Sequence, residues 1–141
     1  MKATELRIGN YVWDDYSGEM IVWAISNNIN TPLSDIGLKK KAHLPSGGYK
    51  IKNIAPIPLT EQWIKDFGLT ATLEYGGYGY ILGNMIIFKV RSHGRSEDWF
   101  YEIEYCSGDE IEDRTNIIQR YDYVHQLQNL YFALTGKELT K

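Results

Sequence analysis

The chain contains a single cysteine, Cys106, among its 141 residues, so no disulfide can form within it. One unpaired cysteine is typical of proteins from a reducing compartment. The sequence also lacks any apolar run near the ~20 residues that a membrane-spanning helix needs. Its first residues, Met1 to Arg7, lack the apolar stretch of a signal peptide. These absences predict a soluble, cytoplasmic protein that does not contact membranes.

Patterns for catalysis, metals and cofactors are missing as well. The histidines share no metal-ligand spacing and lie far apart, at His43, His93 and His125. In the glycine-rich stretch from Gly76 to Gly83, Leu82 stands where a dinucleotide fingerprint has its third glycine, and no helix pattern follows. A bend between strands is the favoured interpretation of this stretch. We therefore predict a non-enzymatic protein with no catalytic residue, no metal and no cofactor.

The composition is that of one globular domain over residues 1–141, with 43% hydrophobic and 23% charged residues. Aromatic residues are abundant, with 11 Tyr, 4 Trp and 4 Phe, and such side chains suit both cores and contact surfaces. The net charge of -3 argues against a dedicated nucleic-acid binder.

Charge is unevenly distributed along the chain. Residues 36–56 contain five lysines and no acid, whereas residues 97–113 contain eight acids and no base. The two stretches are interpreted as solvated loops, with attraction inside the fold or across a dimer as the alternative. The run Lys39, Lys40 and Lys41 leaves weak nucleic-acid binding open as an alternative function.

Hydrophobic periodicity predicts an α+β fold with an antiparallel sheet. Residues 11–25 form a hairpin of the kind common in SH3-like barrels, residues 26–48 a long loop, and residues 49–54 a third strand. A short helix begins after Thr60 and ends at Gly68. Strands of period two follow at 70–75, 80–82, 85–91 and 99–106, and a C-terminal helix packs on the sheet.

The C-terminal helix has an unusual polar face. Asp122 is predicted as its N-cap and Gly136 as its closing residue, with leucines along one side. No charged residue occurs from Tyr123 to Thr135, although a solvent-facing helix side is normally charged. The uncharged side carries His125, Gln126, Gln128 and Asn129. We expect this side to be covered, preferably by the chain itself through the loop Asn27–Gly48 and otherwise by a second subunit.

Three segments resemble a family of small, uncharacterised proteins from gut anaerobic bacteria and their phages and mobile elements. They are ELRIGNYV (residues 5–12), PIPLTEQWIKDFG (56–68) and YVHQLQNLYFALTGKEL (123–139). They cover more than a quarter of the chain and occur in this order. The resemblance implies a phage or mobile-element setting and supplies no activity or catalytic residue.

A chain rich in aromatics without a catalytic set is predicted to bind another protein, or itself as a homo-oligomer. The alternative is a small-molecule binder that holds a nucleotide-like ligand in a tyrosine-lined pocket. The predicted binding residues are His125, Gln128, Asn129, Tyr78, Tyr80, Lys39, Lys40 and Lys41.

Overall fold

A computed structural model describes residues 3–26, 35–40, 46–50, 53–72, 79–91, 99–106 and 114–141. The chain divides into two compact units, and the single domain over residues 1–141 stays a prediction. Unit 1 comprises Met1–Pro58 with Tyr123–Thr140, and unit 2 comprises Leu59–Asp122 with Lys141. Over the described ranges each unit contains a five-stranded antiparallel sheet and one α-helix, which confirms the predicted α+β class.

Unit 1 opens with a 3-10 turn and ends with a helix. Its elements are the 3-10 turn Ala3–Glu5, β1 Tyr11–Asp14, β2 Gly18–Ser26, β3 Asp35–Lys39, β4 Ser46–Lys50, β5 Ile54–Ala55 and the C-terminal helix α2 Val124–Thr135. The strand order is β4-β3-β2-β1-β5. The predicted hairpin over residues 11–25 is therefore confirmed as β1 and β2, and α2 lies against β1.

One side of the unit 1 sheet faces a core. In the hairpin Val12 pairs with Met20, and Val22 pairs with Leu38 of the next strand; all four are buried. The prediction of a loop over residues 26–48 is wrong, because β3 and most of β4 lie inside it. Buried Ile36 and Leu38 alternate with Gly37 and Lys39 in β3, but two apolar residues are too short a signal among turn formers.

Unit 2 contains the short helix and the second sheet. Its elements are α1 Glu61–Asp66, β6 Thr70–Thr72, β7 Gly79–Leu82, β8 Met85–Arg91, β9 Trp99–Cys106 and β10 Arg114–Tyr121, in the sheet order β10-β9-β8-β7-β6. The predicted strands 85–91 and 99–106 are confirmed. The strand β10 pairs with β9 from Arg114↔Cys106 onward.

Helix ends follow local chemistry. Thr60 caps α1, as predicted, by accepting a hydrogen bond from the Trp63 backbone N–H at 3.4 Å. The N-cap of α2 is Tyr123 and not Asp122, whose Oδ1 instead accepts from Arg120 Nε at 2.6 Å. Gly136 closes α2 with a left-handed φ of 70°, which glycine adopts without strain. Neither helix in the described ranges is long and apolar enough to cross a membrane.

Candidate functional site

The uncharged side of α2 is covered within unit 1, and Gln128 lies at its centre. Its side chain is 0% exposed. Its Oε1 accepts a hydrogen bond from the Tyr11 backbone N–H at 2.9 Å. Its Nε2 donates to the carbonyl oxygens of Gly9 at 3.1 Å and Leu139 at 2.9 Å. One amide therefore ties the start of β1 and the C-terminal tail to the helix.

Asn129 continues this arrangement towards the N-terminus. Its Nδ2 donates to the Glu5 carbonyl at 2.7 Å, and its Oδ1 accepts from Asn10 Nδ2 at 2.9 Å. Buried Asn10 in turn accepts from the Arg7 backbone N–H at 2.7 Å. We call Asn10, Gln128 and Asn129 the amide network. The expected intramolecular cover is confirmed, and the described cover consists of residues 5–11 and Leu139.

A clamp of charged and aromatic groups reinforces the same contact. The Arg7 guanidinium lies 3.6 Å above the Phe132 ring, and its Nη2 is 3.1 Å from Glu138 Oε1. A Cβ atom at Gly9 would stand 3.1 Å from the other carboxylate oxygen of Glu138. The lack of a side chain at Gly9 thus lets the tail approach the N-terminal segment closely.

His125 lies on the same helix and is 2% exposed. Its ring stacks on Tyr123 with centroids 5.9 Å apart and planes 10° from parallel. Its Nδ1 has no hydrogen-bond partner among the described residues. Burial lowers the pKa of the imidazole, and the carboxylate of Glu5 only partly opposes this effect. The ring is therefore a neutral, packed group at neutral pH.

The predicted role of His125, Gln128 and Asn129 in partner binding stays a prediction. The side-chain amides of Gln128 and Asn129 form hydrogen bonds with backbone and side-chain groups of unit 1. The part of the chain that the structure describes contains no cluster of three His, Cys, Asp or Glu side chains able to hold a metal ion.

Tyr80 lies on the buried face of unit 2. Its hydroxyl donates to the carboxylate of Glu61, which also accepts from Lys89 Nζ at 2.8 Å. The Lys89 hydrogen bond, and then that of Tyr80, lower the pKa of Glu61, while burial raises the pKa of Tyr80. Tyr80 thus links α1 to the sheet, and Tyr78 lies outside the described residues.

Two of the three predicted lysines can be placed. Lys39 ends β3 directly opposite Ile21 and is partly exposed, and Lys40 follows it at an exposed position. Lys41 lies outside the described residues.

The outer side of the unit 1 sheet carries exposed tryptophans. Trp13 pairs with Glu19, so Trp13, Glu19 and Ile21 point away from the core formed by Val12 and Met20. Trp23 follows at the next outward position of β2. Trp13 is 47% exposed and Trp23 is 41% exposed. We call Trp13, Ile21 and Trp23 the tryptophan face. Tyr11, on the same side of β1 and directly opposite Ile21, is buried, so the exposed part of this side follows β2 from the Trp13–Glu19 pair past half-buried Ile21 to Trp23.

Each tryptophan ring lies beside a glycine. A Cβ at Gly37 would collide with Trp23 Nε1, and a Cβ at Gly18 would stand 3.7 Å from the Trp13 ring. Gly37 faces outward because its neighbours Ile36 and Leu38 are fully buried. The missing side chain at Gly37 therefore gives the Trp23 indole room to lie over β3.

Sequence reasoning missed this face. Tyr-Val-Trp in β1 and Met-Ile-Val-Trp-Ala-Ile in β2 are nearly continuous apolar runs. Such runs do not reveal which side chains point outward, whereas strict alternation does. The usable signal was Glu19, whose polar side chain marks the outward set of β2 at every second residue.

Comparison of this chain with protein-family models, with curated proteins and with solved structures gave no match. Its function must therefore be inferred from the surface chemistry of the chain itself.

Proposed function

We propose that this chain is a non-enzymatic protein-binding module that contacts its partner through the tryptophan face. The observation that carries the proposal is the exposure of Trp13 and Trp23 on one side of one sheet. Tryptophan is among the residues most enriched at the energetic centres of protein interfaces. Two such side chains beside Ile21 form an apolar surface that a partner would remove from water.

The exposed large hydrophobic residues lie close together along the sequence. In the described ranges they are Ile8, Trp13, Tyr16 and Trp23, all within the first 23 residues of the chain. Tyr16 is 91% exposed at the tip of the β1–β2 turn, where the Asp14 carboxylate accepts from the Tyr16 and Ser17 backbone N–H groups. The turn is therefore held in one shape while its tyrosine projects into solvent. Contiguous exposed apolar groups commonly mark interaction sites.

The setting is part of the same proposal. The single cysteine and the lack of a long apolar run support a cytoplasmic location. The resemblance of residues 5–12, 56–68 and 123–139 supports a phage or mobile-element origin. A second copy of the chain is one form that the protein partner can take.

Selection from a displayed random-peptide library tests the proposal. The wild-type chain should enrich peptides, and a synthetic version of an enriched peptide should bind at least ~10-fold more weakly to the Trp13→Ala/Trp23→Ala variant. Trp63→Ala is the matched control, because Trp63 is a partly exposed tryptophan of unit 2. Its affinity should equal that of the wild type.

Two results would overturn the proposal. One is a selection in which the wild-type chain enriches no peptide and native mass spectrometry shows only a monomer. The other is an enriched peptide that binds the double variant as tightly as it binds the wild type. Denaturation curves establish that each variant is folded. Gly37→Ala, which keeps both tryptophans, provides a second variant should the double replacement unfold the chain.

A further inference from the structure

We infer that the tryptophan face accepts an extended, acidic peptide segment with apolar side chains at positions i and i+4 and a carboxylate between them. This inference rests on the proposed function and adds the chemistry of the partner.

The distance between Trp13 and Trp23 sets the spacing of the two apolar peptide side chains that contact them. Trp13 lies beside Glu19, and Glu19 and Trp23 are four residues apart on β2. At about 3.3 Å per residue, and with the register shift between Val22 and Ala24 shortening β2 locally, the two tryptophans are separated by about 10–13 Å along the strand direction. In an extended peptide, side chains i and i+4 point to the same side and are also about 13 Å apart. One extended segment therefore reaches both rings without bending.

The positive charge of Lys39 beside the tryptophan face favours an acidic peptide residue between the two apolar side chains. Lys39 pairs with Ile21, which lies between the tryptophans along β2, and both point to the outer side. Exposed Lys40 follows immediately. A partner side chain that sits over Ile21 therefore comes within reach of the Lys39 ammonium. A carboxylate there is attracted, whereas an ammonium there is repelled.

A single-stranded nucleic acid is the competing occupant, since aromatic rings and lysines also bind bases and phosphates. Glu19 lies directly across from Trp13 on the same side of the hairpin, so a phosphate beside that ring would meet a carboxylate. The net charge of -3 opposes a polyanion further. The observations favour a peptide, which carries isolated carboxylates and not a continuous line of phosphates.

The test uses the full chain and three synthetic peptides of about nine residues, measured by fluorescence polarisation at low salt. Each peptide has leucines at i and i+4, with Glu, Gln or Lys at i+2. The Glu peptide should bind about tenfold more tightly than the Lys peptide, with the Gln peptide between them. The Lys39→Glu/Lys40→Glu variant should reverse this order. Lys65→Glu, which changes an exposed lysine of α1, should leave the order as in the wild type.

Each alternative outcome has a defined meaning. Equal affinities for the three peptides, or an order that Lys39→Glu/Lys40→Glu does not change, overturn the acidic-peptide inference. If library peptides still bind through Trp13 and Trp23, the proposed function stands without the acidic-peptide inference. Tighter binding of a deoxythymidine decamer, lost in the Trp13→Ala/Trp23→Ala variant, overturns the inference in favour of nucleic acid. A wild-type dimer that the same variant dissolves assigns the face to a second copy.

Discussion

In unit 1, a polar set of side chains is largely buried and an apolar set is exposed, which is the reverse of where these residue types usually lie. The amide network is polar, yet Asn10 and Gln128 are buried and Asn129 is half-buried, whereas the tryptophan face is apolar and faces outward. Polar groups are tolerated inside when their hydrogen bonds are satisfied, as those of Gln128 are. Large apolar side chains left outside are informative because water must be removed from them when a partner binds.

The comparison shows that an uncharged polar side of a helix is better explained by hydrogen bonds within the fold than by a binding site. Gln128 accepts one backbone hydrogen bond and donates two, which uses both hydrogens of its amide nitrogen. A ligand that approached this amide would have to displace the C-terminal tail at Leu139 or the N-terminal segment at Gly9. The tryptophans require no such displacement.

The largest expected effect is that of a charge in the amide network. Gln128→Lys should lower the free energy of unfolding by about 3–5 kcal/mol, because it breaks three hydrogen bonds and buries an unpaired ammonium. Chemical denaturation measures this loss. Ala133→Lys, at an exposed position of the same helix, is the control. Equal midpoints for the two variants would show that the network does not stabilise the fold.

The next effect concerns the apolar side of α2. Leu127 is fully buried, so Leu127→Ala should cost about 2–5 kcal/mol. Leu130 is only partly buried, so Leu130→Ala should cost less than Leu127→Ala. The same denaturation measurement ranks the two variants. A larger loss for Leu130→Ala than for Leu127→Ala would contradict the prediction that Leu127 makes the main core contact of α2.

His125 gives a smaller, pH-dependent effect. Because burial lowers its pKa in the folded state, only the unfolded chain takes up this proton just below pH ~6.5. Its contribution to stability is therefore complete above pH ~6.5 and is lost as the pH falls from there through the folded-state pKa. The loss cannot exceed about 1.4 kcal/mol per pH unit. His125→Gln should flatten the dependence between pH 7 and 5, and parallel wild-type and variant curves would contradict the prediction.

The smallest effect on stability is expected at the tryptophan face. Gly37→Ala should lower the free energy of unfolding by about 1 kcal/mol, since alanine fits the backbone but the Trp23 ring must move and the Ala24 methyl group must shift slightly. The ring movement should alter near-ultraviolet circular dichroism and weaken peptide binding. Gly68→Asn, at an open left-handed position, serves as the comparison. An unchanged spectrum for Gly37→Ala would show that Trp23 does not rest on β3.

Periodicity and capping residues predicted an element correctly where the signal lay within that element's own sequence. The strands 85–91 and 99–106, the Thr60 cap and the closing Gly136 were predicted at their observed positions. It failed for β3, where only Ile36 and Leu38 alternate, and for the Asp122 cap, because Arg120 engages that carboxylate. Local signals predict local structure, and a competing partner nearby is enough to override them.

The sequence by itself determined the α+β class, the lack of an internal disulfide and the need for cover on the uncharged side of α2. Only the tertiary structure decided what supplies that cover, because residues 5–11 are more than 110 positions away from Gln128 along the chain. It also decided that Trp13 and Trp23 share an outer face, because their sidedness depends on the pairing of β1, β2 and β3. Strand register is a property of paired segments, and neither segment carries it alone.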